Sequence, residues 1–155
     1  MLRQANWMLR KFGWFKVPLI GYCRPRITRL DEQGVEVIIP LSRRTRNHLG
    51  SMYFGALAVG ADVAGAFLAL HLAQRQGEKI SLAFKGVSGE FLKRPERDVC
   101  FICDDGPAIV RMLQETIQSG QRVNQPVQVR VTCPEQFGAE DVARFALVLS
   151  VKKIS

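Results

Sequence analysis

Between Met52 and Leu70 the chain reads MYFGALAVGADVAGAFLAL, a run whose only charged residue is Asp62. A helix apolar on all sides has to be enclosed, so the rest of the chain must supply enough structure to surround it. Burying a lone carboxylate is expensive unless something pairs with it or it takes up a proton. Sequences that accept this cost usually do so for chemistry or for a specific hydrogen bond. Just upstream stands Asn47-His48-Leu49-Gly50-Ser51, a polar, glycine-bearing loop suited to opening a helix.

The same run is close to the ~20 residues that cross a bilayer. Its centre, however, holds Asp62, where an acid costs roughly 2.5–3.5 kcal/mol on insertion scales. Its bulk is Ala and Gly rather than Leu and Ile. We therefore expect the central helix of a soluble protein and no transmembrane segment. The N-terminus, MLRQANWMLRKFGWF, interrupts its apolar residues with charges, so a signal peptide is not expected. Cys23, Cys100, Cys103 and Cys133 form no tight framework, which fits reduced thiols and a cytoplasmic location. Cys100 and Cys103 make a CxxC, but residues three apart on a strand face opposite ways. No second ligand pair with zinc-like spacing exists, so no metal site is expected.

At 155 residues, with 47% hydrophobic and 23% charged, the chain fits one folded domain spanning 1–155. The net charge of +8 is concentrated: residues 1–46 carry ten Lys/Arg against three Asp/Glu, with a knot at Arg43, Arg44 and Arg46. A solvated basic face is the ordinary reading; an anionic ligand, nucleic acid or an acidic membrane surface are the functional ones. The aromatics cluster at Trp7, Phe12, Trp14 and Phe15 instead of alternating with basic residues along a strand, so a nucleic-acid partner is not expected.

Pattern and turn signals give the elements. An amphipathic helix is expected over about 2–12, able to lie on a membrane but more often docked on its own domain or on a partner subunit. A hairpin of strands 22–30 and 34–41 flanks Asp31-Glu32-Gln33-Gly34. The long helix runs from about Phe54 to Gln76 and closes at Gly77. Strands follow at about 79–92, 97–104, 123–133 and 142–153, with a helix at 107–119 opened by Asp105-Gly106-Pro107 and ended by Gly120. Six strands are enough for one curved, mostly antiparallel sheet to wrap the apolar helix, whose small residues let the sheet come close.

The stretch Asn47-x-x-Gly50-x-x-Tyr53-Phe54-Gly55, followed by Asp62, resembles the signature of hotdog-fold thioesterases of the phenylacetate-pathway (PaaI-like) type. Asn47, Gly50, Gly55 and Asp62 match in register; Tyr53 and Phe54 replace the His and first Gly of that signature. The variant NHLGSMYFGA is more similar to a hotdog subfamily of unknown function, DUF4442. Glu90-Phe91-Leu92-Lys93-Arg94-Pro95 resembles the strand after the central helix. The resemblance implies an α+β hotdog fold, a curved antiparallel sheet wrapped around a long central helix, assembled as a homodimer or a dimer of dimers. Spacing adds an independent point. Seven residues separate Gly55 from Asp62, about 10 Å at ~1.5 Å per residue, so both can act on one bond only if they come from different subunits.

The activity implied is acyl-CoA hydrolysis, with the coenzyme A thioester as substrate and no cofactor. Backbone N–H groups near Gly55, at the positive end of the helix, would hold the oxyanion, and Asp62 would be general base or nucleophile. Asn47 would orient the water or the loop. Phe54, Tyr53 and His48 would border the substrate, and Arg46, Lys93 and Arg94 are candidates for the coenzyme A phosphates. Each residue also has an ordinary reading: Asp62 as a structural acid, Asn47 as a turn-closing residue, His48 and His71 as polar contacts, Tyr53 as packing. Phe54 puts a side chain where the signature has Gly, which implies an oxyanion hole that is altered or absent. The alternative function is a non-catalytic hotdog module that binds acyl chains or a protein partner.

Overall fold

A computed structural model describes residues 1–155. Two helices open the chain, α1 (Leu2–Phe15) and α2 (Pro18–Cys23), followed by the hairpin β1 (Arg26–Leu30) and β2 (Val35–Ile39). Then come α3 (Phe54–Arg75), β3 (Lys79–Phe91), β4 (Val99–Cys103), α4 (Gly106–Ser119), β5 (Val123–Thr132), α5 (Pro134–Phe137) and β6 (Asp141–Ile154). The six strands form one sheet in the order β1-β2-β4-β5-β6-β3, antiparallel throughout. The hairpin turn is fixed by Asp31, whose Oδ1 accepts the N–H groups of Gln33 (2.8 Å) and Gly34 (3.0 Å), an Asx turn that shapes the chain reversal.

The sheet packs against α3, and their contact is the core. Phe101 from β4 lies flat against Gly60 of α3: a β-carbon there would sit 2.2 Å from the ring, so only glycine admits this approach. Leu68, Ala64 and Ala69 of α3 and Val127, Leu149 and Val151 of the sheet are fully buried beside it. Although α3 is long and apolar enough to cross a membrane, 72% of its most apolar stretch is buried inside the fold.

Two element boundaries differ by three residues or more from the sequence expectation. The first helix runs to Phe15 rather than 12, because Gly13 is not a breaker here. It is the crossing point with α2, where a β-carbon would meet the Gly21 backbone at 2.7 Å. The first strand begins at Arg26, not 22. Pro18 starts a short helix that takes in Tyr22 and Cys23 and ends at Arg24, which has left-handed φ of 53°. All four cysteines are buried free thiols, and burial pushes the Cys100 and Cys103 thiols up to about 11.

One sheet edge is closed and the other is open. At the β1 edge, the Asn6 side chain of α1 donates to the Ile27 carbonyl (2.9 Å) and accepts the Ile27 N–H (2.8 Å). At the opposite edge, β3 pairs only with β6. Its side chains Val87 and Phe91 are exposed.

Candidate functional site

The loop leading into α3 is held by its own backbone. The Asn47 N–H donates to the Ser51 carbonyl (2.7 Å) and the Gly50 N–H to the Asn47 carbonyl (3.2 Å). Asn47 Oδ1 accepts from Leu49 N–H (2.9 Å) and Ser51 N–H (3.1 Å), so this acceptor is committed to shaping the loop. Gly50 turns the chain at φ +77°. Tyr53 N–H reaches the Thr45 carbonyl (2.7 Å), and Met52 N–H reaches the Pro95 carbonyl (2.9 Å). The second bond ties the loop to the segment carrying Lys93 and Arg94. Ser51 Oγ is buried here without a partner.

This loop delivers an uncapped helix N-terminus. No side chain caps α3, and the N–H groups of Phe54, Gly55 and Ala56 have no acceptor within the chain. Such free donors at the positive end of a 22-residue helix attract a developing negative charge. The Phe54 side chain leaves toward β3, its ring edge-on to Phe91 at 5.7 Å, and Phe91 in turn meets Phe145 at 5.9 Å. The Tyr53 ring leans over Gly55, with Cε1 2.6 Å from where a β-carbon would stand. Tyr53, Phe54 and His48 are all exposed.

Asp62 sits two turns further along, half-buried at a narrow crevice of about 30 Å³. Met8, Leu9 and Phe12 of α1, Ile20 of α2 and Val63 and Phe67 of α3 line it. The carboxylate has no hydrogen-bond or ionic partner, and burial alone pushes its pKa up to about 6. A space of this size holds about one water molecule. The environment therefore offers a carboxylate poised near neutral pH with room for one water, and nothing inside the chain neutralises it. Within one chain Asp62 and the free N–H groups stay apart, seven residues and about 10 Å along α3.

The basic candidates divide. Lys93 pairs with Glu140 and lies 4.8 Å over the Phe137 ring, and Arg94 pairs with Glu96 at 3.5 Å. Arg46 bridges to Met52 through its backbone and its side chain is exposed without an acidic partner.

Sequence reasoning passed over a second cavity. A cleft of about 610 Å³ opens at the C-terminal end of α3, with Leu30, Glu32, Leu68, His71, Arg75 and Leu113 in its wall. His71 Nε2 is buried there without a partner. Burial, with Arg75 nearby, lowers its pKa, and its ring stacks on Phe67 at 6.0 Å. Nine residues after Asp62, His71 lies on the opposite side of the helix. The only sequence signal was a histidine flanked by Leu68 and Leu72 at helical spacing. Although larger, this cleft has no unpaired buried carboxylate in its wall.

Comparison with known proteins places the chain in a family and shows its fold. Residues 5–151 match the family described as a domain of unknown function, DUF4442. Proteins of curated function give no match. Among solved structures, a protein of unknown function from Chlorobaculum tepidum superposes with a TM-score of 0.83 at 12% identity, covering 99% of this chain and 97% of its own. A candidate thioesterase from Shewanella oneidensis superposes with a TM-score of 0.80 at 13% identity, covering 96% and 97%. A protein from Pseudomonas aeruginosa, of unknown function and described as a probable thioesterase, gives 0.75 at 21% identity and 96% of each chain. At these identities the likeness carries the fold, a hotdog.

Proposed function

The chain belongs to the DUF4442 family and has the hotdog fold, and from that premise we propose that it is a thioesterase that hydrolyses acyl-CoA. The observation that carries the proposal is Asp62: an unpaired carboxylate beside a water-sized space, held near pH 6 by burial alone. A general base works best with a pKa close to the working pH. In the proposed reaction Asp62 takes a proton from water as the water oxygen attacks the thioester carbonyl. The oxyanion is held by the free N–H groups at Phe54 and Gly55. When the C–S bond breaks, the coenzyme A thiolate leaves and regains the proton from Asp62.

The 10 Å between those N–H groups and Asp62 supports a site shared by two subunits. The open β3 edge is free to pair with a second copy; for a shared site the partner's loop must also reach the crevice that α1 covers over Asp62. A dimer of dimers would bury further surface without altering the shared site. Arg46, which lacks an acidic partner, is the best placed of the basic candidates for a coenzyme A phosphate; Lys93 and Arg94 would first have to leave Glu140 and Glu96. Asn47 acts by holding the loop.

One observation favours the non-catalytic reading. The Tyr53 ring lies over Gly55, where a bound thioester oxygen would have to reach. The test is release of free thiol from short, long and aromatic acyl-CoA by the wild type and by Asp62→Asn. Turnover by the wild type, lost in a folded Asp62→Asn protein, supports the hydrolase. Acyl-CoA binding without turnover across the whole panel replaces it with the binding module.

A further inference from the structure

The first thirty residues contain seven Lys/Arg and no acid; Arg29 is paired with Asp31, Glu36 and Asp104 in the hairpin, while Arg3, Arg10 and Lys11 share one face of α1. Helix α1 turns Ala5, Leu9 and Gly13 into the core. At 100° per residue its opposite arc carries Arg3, Trp7, Arg10, Lys11, Trp14 and Phe15. These aromatics are not packed away: Trp14 is 77% exposed, Phe15 73% and Trp7 59%. On the adjoining α2, Leu19 is 60% exposed and Tyr22 52%. Cations sit among them: the Lys11 ammonium lies 3.7 Å over the Trp7 ring, and the Arg44 guanidinium 5.1 Å over Tyr22. The second contact joins the loop knot of Arg43, Arg44 and Arg46 to the same face.

A contiguous exposed patch of large aromatics marks a surface made for contact. Tryptophan and tyrosine favour the depth of lipid headgroups, and lysine or arginine interleaved with them reach the phosphates while their stems lie along apolar surface. A second copy docking through the same patch would bring like charges together with no acid to offset them. The β3 edge used in the proposed dimer lies at the other end of the sheet from β1, where α1 is fastened. We propose that this face, α1 and α2 with Arg44, docks the protein peripherally on an anionic phospholipid bilayer. Trp7, Trp14 and Phe15 would enter the headgroup layer, and Arg3, Arg10 and Lys11 would meet lipid phosphates. The inference rests on this surface alone and stands whether or not the hydrolase reading holds.

The two tryptophans of the chain both lie on this face, so intrinsic fluorescence reports on it directly. The experiment titrates the full-length protein with vesicles of phosphatidylcholine, and of phosphatidylcholine with one third phosphatidylglycerol, measuring tryptophan emission and co-sedimentation. The expected result is a blue shift and quenching by brominated lipid with the anionic vesicles only, reversed by high salt. Because the side chains are exposed, Arg3→Gln/Arg10→Gln/Lys11→Gln should fold normally and bind roughly a hundredfold more weakly. Trp7→Ser/Trp14→Ser should lose co-sedimentation while keeping its circular dichroism. No co-sedimentation with anionic vesicles overturns the proposal. So does binding with unchanged tryptophan emission, or a blue shift without lipid that accompanies a larger oligomer, which would identify a second copy as the occupant. Capture by an acidic protein or by nucleic acid, with no binding to anionic vesicles, overturns it as well.

Discussion

The two sides of α3 are both covered, but by opposite means. Against the sheet, Gly60 accepts the Phe101 ring and small alanines let β4, β5 and β6 come close. Under α1, the covering side chains Met8, Leu9 and Phe12 leave a small space, and the residue facing it is an acid with nothing to pair with. Close packing is what stability alone selects. An unpaired carboxylate in an apolar crevice lowers stability, and its presence on one side only is the strongest sign that this side has work to do.

Substitutions on the two sides should separate these roles. The largest expected effect is on turnover: Asp62→Asn keeps the volume and removes the base, so acyl-CoA hydrolysis should fall about 10²–10⁴-fold. Thiol release measured on protein with unchanged circular dichroism checks this. On the other side, Gly60→Ala should cost about 1–3 kcal/mol by urea denaturation, because the new methyl meets the Phe101 ring and the backbone of α3 must shift. Activity per folded molecule should change far less than for Asp62→Asn. Equal stability of Gly60→Ala and wild type would contradict the close-packed description of that side.

The acid also gives a stability signature. Asp62 titrates near 6 in the folded chain against 3.8 for an ordinary aspartate. The folded state therefore holds the proton more tightly, and as pH rises from about 4 to about 6 the unfolded state loses it first. Stability contributed by the protonated form is present below about pH 4 and lost by pH 6. Asp62→Asn has no such group, so its advantage over wild type should appear across that window and level off above it. At pH 7 the gain should be on the order of 2 kcal/mol, after allowance for the half-exposed position. Melting temperatures of both proteins between pH 4 and 7 measure it; parallel curves would contradict it. The smallest effect is expected at the loop. Asn47→Ala removes the acceptor for two backbone N–H groups and should cost about 1 kcal/mol, with a modest loss of turnover through a looser entry to α3.

Most of the architecture was legible because it rests on periodicity and punctuation: an all-apolar run for α3, alternating patterns for the strands, Gly120 at the end of α4. What stayed hidden depends on contacts between distant segments. Gly13 reads as a helix end until Gly21 is seen pressed against it. That Asn47 lies in the entry loop and Gly55 and Asp62 on α3 was legible, but not their circumstances. No spacing rule announces that α1 would lie over Asp62, that Tyr53 would lean over Gly55, or that Lys93 and Arg94 would find Glu140 and Glu96. The cleft at His71 was missed for the same reason: its walls come from the β1–β2 turn, α3 and α4, far apart in sequence.

The central claim is that Asp62 is a carboxylate without a partner, shifted upward by burial. The most direct measurement is a ¹³C NMR titration of the Asp62 carboxyl, assigned by its loss in Asp62→Asn. A midpoint near 6 is the predicted result. A midpoint at or below that of an ordinary aspartate would mean that the acid is paired or solvated and would contradict the account.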